Sequence, residues 1–126
     1  MKPGGILIDA HDIPKPASIY AYYQEQSQYI GQLLDSSDFE FLRRTDEAIE
    51  IAVREGLFAF EDEEIFVYNI HIDKQKDFNE WFDQLWDTNY LLEETEVCIN
   101  NYFKKNRQTE LVIYYTTRMT CLRRLL

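Results

Sequence analysis

Residues 110–122, ELVIYYTTRMTCL, decide which fold classes are open to this chain. Val, Ile, Tyr and Thr fill most of this stretch, and these residue types favour strands, so we predict a long strand near the C-terminus. Residues 6–10 predict a short strand after a Pro-Gly-Gly turn, and the Tyr- and Ile-rich runs 18–24 and 28–34 predict a hairpin. Residues 65–72 predict a further strand with apolar side chains on both of its faces.

Three other segments have the residue spacing of helices. The first runs from a capping Ser or Asp at 36–38 to Gly56, a residue that suits a left-handed C-terminal cap. The second can be capped by Asp73, and its apolar residues recur at i, i+3, i+4, i+7 and i+8. That stripe consists of Phe78, Trp81, Phe82, Leu85 and Trp86. The third covers about residues 93–105, with lysines in its last turn that suit the helix dipole.

The order of these elements is strand, hairpin, helix, strand, two helices and strand. Because strands and helices do not alternate regularly, we predict an α+β fold and not a doubly wound parallel sheet. The expected architecture is a mixed or mostly antiparallel sheet of four to five strands, including the N-terminal hairpin, with two to three helices packed on it. Gly31 predicts a bulge or a close backbone approach, and the acidic run 61–64 predicts a turn. A chain of 126 residues predicts a single α+β domain over 1–126.

The composition is that of a packed globular protein and excludes several classes of function. Hydrophobic residues make up 45% of the chain, with only 4 Gly and 3 Pro, so disordered and collagen-like classes are excluded. The net charge of −10 argues against nucleic acid and anionic membranes as partners. No apolar run has the length of a membrane span or of a signal-peptide core. Because Cys98 and Cys121 are isolated thiols, we expect a cytoplasmic protein.

Charge is distributed unevenly along the chain. Residues 35–64 hold 11 acids and 3 bases, a net of −8, whereas residues 104–126 hold 6 bases and 1 acid, a net of +5. One interpretation is a solvated acidic face that the basic C-terminal strand neutralises. The other is a basic patch that docks an acidic partner or a second copy of the chain. In that case Arg123 and Arg124 would lie on an edge strand that pairs across a homodimer.

Residues 1–9, MKPGGILID, resemble a segment found late in class I S-adenosylmethionine-dependent methyltransferases, where a Leu-Lys-Pro-Gly-Gly turn precedes the fifth strand. Residues 45–58 resemble, less specifically, a helix and its exit in the C-terminal parts of some members. In that family the cofactor binds a glycine-rich loop and an acidic residue upstream of the turn. This chain has no glycine-rich loop, so no cofactor-binding position carries over. The resemblance therefore implies a C-terminal portion without the cofactor-binding half, which binds no cofactor and is not an enzyme on its own.

Two Asp/His pairs are the candidate site residues. Asp9 with His11, and His71 with Asp73, are each two residues apart, and such residues point to the same side of a strand. If the two strand ends were neighbours, the four side chains would surround a divalent metal. The alternative for His71 is a hydrogen-bonded structural role, with Asp73 as a helix cap. No catalytic residue is predicted, since both cysteines lack a nearby His and there is no Gly-x-Ser-x-Gly elbow.

These observations leave three hypotheses about function. The first is a non-enzymatic interaction or assembly module that forms a homodimer and resembles a stand-alone C-terminal portion of a methyltransferase. The second is the substrate-binding half of a split methyltransferase, acting with a separate cofactor-binding, methyltransferase-like partner. The third is a protein that binds a small ligand or a metal through the two Asp/His pairs.

Overall fold

The computed structural model describes residues 2–85 and 87–126. These residues form three helices and six antiparallel strands of one sheet, which confirms the predicted α+β fold. The strands are β1 (Ile6–Asp12), β2 (Ala17–Tyr23), β3 (Gln26–Asp35), β4 (Phe58–Ile72), β5 (Asn89–Tyr90) and β6 (Glu110–Arg124). The helices are α1 (Glu40–Arg54), α2 (Gln75–Asp83) and α3 (Glu93–Lys105). In the described ranges, none of these helices is both long enough and apolar enough to cross a membrane.

The sheet is built on β6. Residues 117–123 of this strand pair antiparallel with β1, residues 110–114 pair antiparallel with β2, and β4 pairs with it as well. The hairpin partner β3 follows β2, and the two-residue strand β5 pairs with β3. The predicted edge position of Arg123 and Arg124 is therefore wrong, because β6 has both β1 and β4 as strand neighbours.

Residue contacts divide the chain into two compact units. The first unit contains residues 2–15, 39–67 and 116–126, which include β1 and α1. The second unit contains residues 16–38 and 68–115, which include β2, β3, β5, α2 and α3. The long strands β4 and β6 each contribute residues to both units.

The second unit holds the hydrophobic core that α2 and α3 cover. Ile19 and Ile113 of the sheet, Phe78 of α2 and Ile99 of α3 are buried together. The predicted stripe is confirmed on α2, where Trp81 and Phe82 pack against this core. The helix ends at Asp83, so Leu85 also packs against the core but lies beyond the helix. Trp86 lies outside the described residues. The prediction that Asp73 caps α2 is wrong, because the helix begins at Gln75 after Lys74 and no side chain caps it.

The two ends of α1 differ in their backbone conformation and in their capping hydrogen bonds. At its N-terminus Phe39 takes a left-handed conformation (φ 60°), and Ser37 donates hydrogen bonds from its backbone N–H and its hydroxyl to Asp35 Oδ1. The prediction that a Ser or Asp at 36–38 caps the helix is therefore wrong. At its C-terminus Gly56 has a φ of 77°, and its N–H donates to the Val53 carbonyl while the N–H of residue 57 donates to that of residue 52. This pattern is a Schellman motif, and it confirms Gly56 as the cap.

The acidic run 61–64 is part of β4, so the predicted turn is wrong. The strand begins at Phe58 and passes through all four acidic residues without interruption. Glu61 forms an ion pair with Arg123, and Glu63 Oε1 lies 3.3 Å from Arg118 Nε, both on β6. Pairing with a basic neighbouring strand thus gives these carboxylates partners that a local pattern does not reveal.

Gly31 lies where α3 approaches β3, as its position within a strand indicated. A Cβ atom added at Gly31 would lie 2.7 Å from Thr95 Cγ2 and still closer to Thr95 Oγ1. The pairing register also shifts between Ile19 and Tyr20, opposite this part of β3. Both the predicted close approach and the predicted bulge are confirmed.

We expect the substitution Gly31→Ala to lower the free energy of unfolding by about 1–3 kcal/mol, the usual cost of overpacking a close contact. Thr95→Ala removes the two nearest atoms, so the double variant should recover part of the loss. Urea unfolding of the two single variants and the double variant measures both effects. Equal unfolding midpoints for Gly31→Ala and the unchanged protein would contradict the prediction.

Candidate functional site

In the first unit, alternation along β1 places Asp9 and His11 on the side of the sheet that faces α1. His11 pairs in register with Arg118 of β6, and Asp9 pairs with Thr120, so these four side chains share one face. Asp46 of α1 reaches this face and hydrogen-bonds His11. The helix therefore adds a second carboxylate to the pair that the sequence predicted.

The five residues Asp9, His11, Asp46, Glu63 and Arg118 form a connected set of charged groups, here called the His11 cluster. His11 Nδ1 is hydrogen-bonded to Asp9 Oδ2, and His11 Nε2 lies 2.6 Å from Asp46 Oδ1. The same Asp46 oxygen is 3.3 Å from Arg118 Nη1. Within the described residues, the buried Arg118 Nε makes no hydrogen bond, although Glu63 Oε1 is 3.3 Å away.

His11 lies between two carboxylate side chains, those of Asp9 and Asp46. Only 10% of its side chain is exposed, and this burial lowers its pKa. The hydrogen bonds to Asp46 and Asp9, together with the charges of these two carboxylates, outweigh burial, so the net effect raises the pKa of His11 above its ordinary value of 6.5. Because both ring nitrogens are engaged by carboxylates, the imidazole has no free lone pair for a metal ion or for proton abstraction from a substrate.

The structure places the four predicted site residues in two different units. Asp9 and His11 are brought together in the first unit. In the second unit, His71 hydrogen-bonds Glu110 Oε1 at 2.6 Å and Asn69 Oδ1 at 2.8 Å, which is the structural role considered for it. Asp73 follows β4 in the connection to α2. Across residues 2–85 and 87–126, no three His, Cys, Asp or Glu side chains are grouped so as to hold a metal ion.

The sequence did not predict Asp46, Glu63 and Arg118 as members of the site. Asp46 falls between Leu42 and Ile49 at helical spacing, so it is a carboxylate on the apolar stripe of α1. A polar residue on such a stripe indicates a partner on the surface that the helix covers. The sequence gives no comparable signal that Arg118 would face Asp46, because that contact depends on the β1–β6 register.

A cavity of about 400 Å³ adjoins the His11 cluster between α1 and the sheet of the first unit. Its walls combine apolar side chains with charged ones that come from α1, β4 and β6. The lining residues are Asp46, Ile49, Glu50, Val53, Arg54, Phe60, Glu63, Arg118 and Thr120. This volume falls within the range of small-molecule sites, about 300–1,000 Å³.

The opposite side of the same sheet is apolar and exposed; we call it the open face. It carries Ile6, Ile8 and Ala10 of β1 beside Met119 and Cys121 of β6, by the pairing register. The three β1 residues are exposed, and the Ile8 residue retains 63% of its accessible surface. The helix of the first unit, α1, lies on the other side, with the His11 cluster.

The second unit contains a cluster of tyrosines. The Tyr22 and Tyr114 hydroxyls are 2.6 Å apart, and the Tyr20 ring packs edge-on against both Tyr29 and Tyr114 with centroids 5.5 Å apart. The hydrogen bond with Tyr22, followed by burial, raises the pKa of Tyr114 to about 12. Tyr114 is therefore a neutral hydrogen-bonding group at physiological pH, with no sign of a reactive phenolate.

No protein-family model, curated protein or solved structure matches this chain. The methyltransferase resemblance accordingly stays a prediction. A functional assignment therefore rests on the residues of this chain. The most informative are those of the open face and those of the His11 cluster with the adjoining cavity.

We expect the stabilisation provided by His11 to be lost as the pH rises. Because the folded-state pKa is raised, the contribution of the protonated imidazole is fully present below 6.5 and disappears as the pH passes through the folded-state value. His11→Gln keeps a hydrogen-bonding side chain but removes the titration. The unfolding free energy of the unchanged protein minus that of His11→Gln should therefore shrink across this window in urea unfolding at a series of pH values. A difference that is constant with pH would contradict the prediction.

Proposed function

We propose that this chain is a non-enzymatic interaction and assembly module that forms a homodimer through the open face. The observation that carries the proposal is the exposure of Ile8 in the middle of an apolar sheet surface. An antiparallel sheet can leave one face in water, but such a face is normally polar. Along β1 the apolar residues of the open face alternate with Asp9 and His11, which point towards α1. The apolar open face is therefore produced by the regular alternation of the strand.

A second copy of the chain is the occupant that suits the open face best. Sheets pack face to face when both inner faces are apolar, and a second copy supplies a face of the same size and composition. Charge favours the same arrangement. Asp62 and Glu64 lie beside Ile8, whereas Arg123, which also forms an ion pair with Glu61 of its own chain, lies opposite Ile6 at the other end of the face. A two-fold axis through the apolar centre would bring the acidic side of one copy towards the basic end of the other.

The substrate-binding half of a split methyltransferase is the second candidate. It is supported by the turn that precedes β1, in which the Gly5 N–H donates to the Lys2 carbonyl at 2.9 Å and Gly4 has a φ of 81°. In this function a methyltransferase-like partner with the cofactor would cover the open face. For both candidates we expect a cytoplasmic assembly, where Cys121 on the open face stays reduced.

The test of the first candidate is the oligomeric state of an open-face variant. We expect sedimentation equilibrium to give a dimer for the unchanged chain and a monomer for Ile8→Glu, because a carboxylate in an apolar interface loses its hydration. Phe41→Glu is the matched control. Phe41 is 78% exposed on α1, so this variant should remain a dimer.

Two outcomes would overturn these proposals. If the unchanged chain is a monomer at every concentration, or if Ile8→Glu stays dimeric, the open face does not hold two copies together. Binding of S-adenosylmethionine to the purified chain alone would contradict both candidates, because neither gives this chain a cofactor site of its own.

A further inference from the structure

The cavity beside α1 in the first unit points to a ligand that the assembly function does not require. We propose that this cavity binds a small organic cation with an apolar body, such as an aralkylammonium ion. The proposal is independent of dimer formation, because the cavity and the open face lie on opposite sides of the sheet formed by β1 and β6.

The apolar part of the ligand would lie against Ile49 and Val53 of α1 and Phe60 of β4. These side chains line the cavity, and the Phe60 residue keeps about half of its accessible surface. An exposed aromatic ring in a binding cavity has two uses, because it buries apolar surface and its face attracts a cation. Residues of this kind therefore favour a ligand that is both apolar and positively charged.

The charged part of the lining also favours a cation. Three carboxylates, from Asp46, Glu50 and Glu63, face two guanidinium groups, from Arg54 and Arg118, which leaves a net charge of −1. The two members of the His11 cluster that do not line the cavity leave this sign unchanged, because the charge of a protonated His11 is offset by that of Asp9.

The guanidinium group of Arg118 already lies beside two carboxylates, although its Nε makes no hydrogen bond among the described residues. Its Nη1 and Nε atoms lie 3.3 Å from Asp46 Oδ1 and Glu63 Oε1, respectively. An anionic ligand would have to compete with these carboxylates for Arg118. It would also have to approach residues 35–64, which supply α1 and the start of β4 and carry a net charge of −8. A field of this sign draws cations towards the cavity and repels anions.

Titration with three probes of similar shape and different charge tests the proposal. These are phenethylammonium, the anion phenylpropionate and the neutral phenylpropanol, each added to isotope-labelled protein and followed by amide chemical shifts. We expect saturable binding of the ammonium ion, with shifts centred on Ile49, Val53 and Thr120. Phenylpropanol should bind more weakly, and phenylpropionate should not bind.

Glu50→Gln is the informative variant, and Glu47→Gln is its matched control on the same helix. Glu50 lines the cavity and Glu47 does not, yet both are exposed on α1. We expect Glu50→Gln to weaken phenethylammonium binding by about two- to fivefold, the equivalent of one exposed ion pair, and Glu47→Gln to leave it unchanged.

Three results would overturn the proposal. They are phenylpropionate binding as well as the ammonium ion, equal losses in the two Gln variants, and no saturable shift at the cavity with any probe. The Ile8→Glu variant distinguishes a failure of the cavity proposal from a failure of the assembly proposal. It should bind phenethylammonium normally whether or not it forms a dimer.

Discussion

The pairing of β6 (Glu110–Arg124) is the constraint on which the rest of the structure depends. Backbone groups in a buried strand must find partners in the sheet because water cannot reach them. β1 and β2 pair with successive stretches of β6, and β4 also pairs with it. The same strand contributes Ile113 to the buried core of the second unit and the buried Leu122 to the first. Its register with β1 sets Arg118 opposite His11 and thereby fixes the position of the His11 cluster.

The uneven charge of the sequence is explained by β4 pairing with β6. The acidic run at the start of β4 meets arginines of β6, through Glu61 with Arg123 and Glu63 with Arg118. These pairs are partly exposed, so each adds little to stability, roughly 0–1 kcal/mol. Their main effect is to relieve repulsion among four consecutive acidic residues within a strand. This arrangement supports the interpretation of a basic C-terminal strand that neutralises an acidic segment.

The sequence predicted the features that depend on residues close together in the chain, and it failed for the features that depend on distant strands. The bounds of α3, the Schellman end of α1 at Gly56 and the close approach at Gly31 follow from residue types within a few positions of each other. The acidic start of β4 and the two-residue β5 depend on distant strands, so local patterns misassigned the first and missed the second. The candidate site divides in the same way. The Asp9–His11 pair is two residues apart, whereas Asp46 and Arg118 join it only through packing.

The alternation of side chains along β1 couples the two sides of the sheet in the first unit. Asp9 and His11 point towards α1 and belong to the His11 cluster. Ile8, which precedes Asp9, and Ala10, which lies between Asp9 and His11, point to the opposite side and belong to the open face. A partner that covers Ile8 would therefore hold β1 against β6, and β1 is also the strand that positions His11. Both sides of the sheet depend on the one register of β1 with β6, which sets Ile8 on the open face and His11 opposite Arg118. Assembly on one face and charge pairing on the other would then stabilise a single position of one strand.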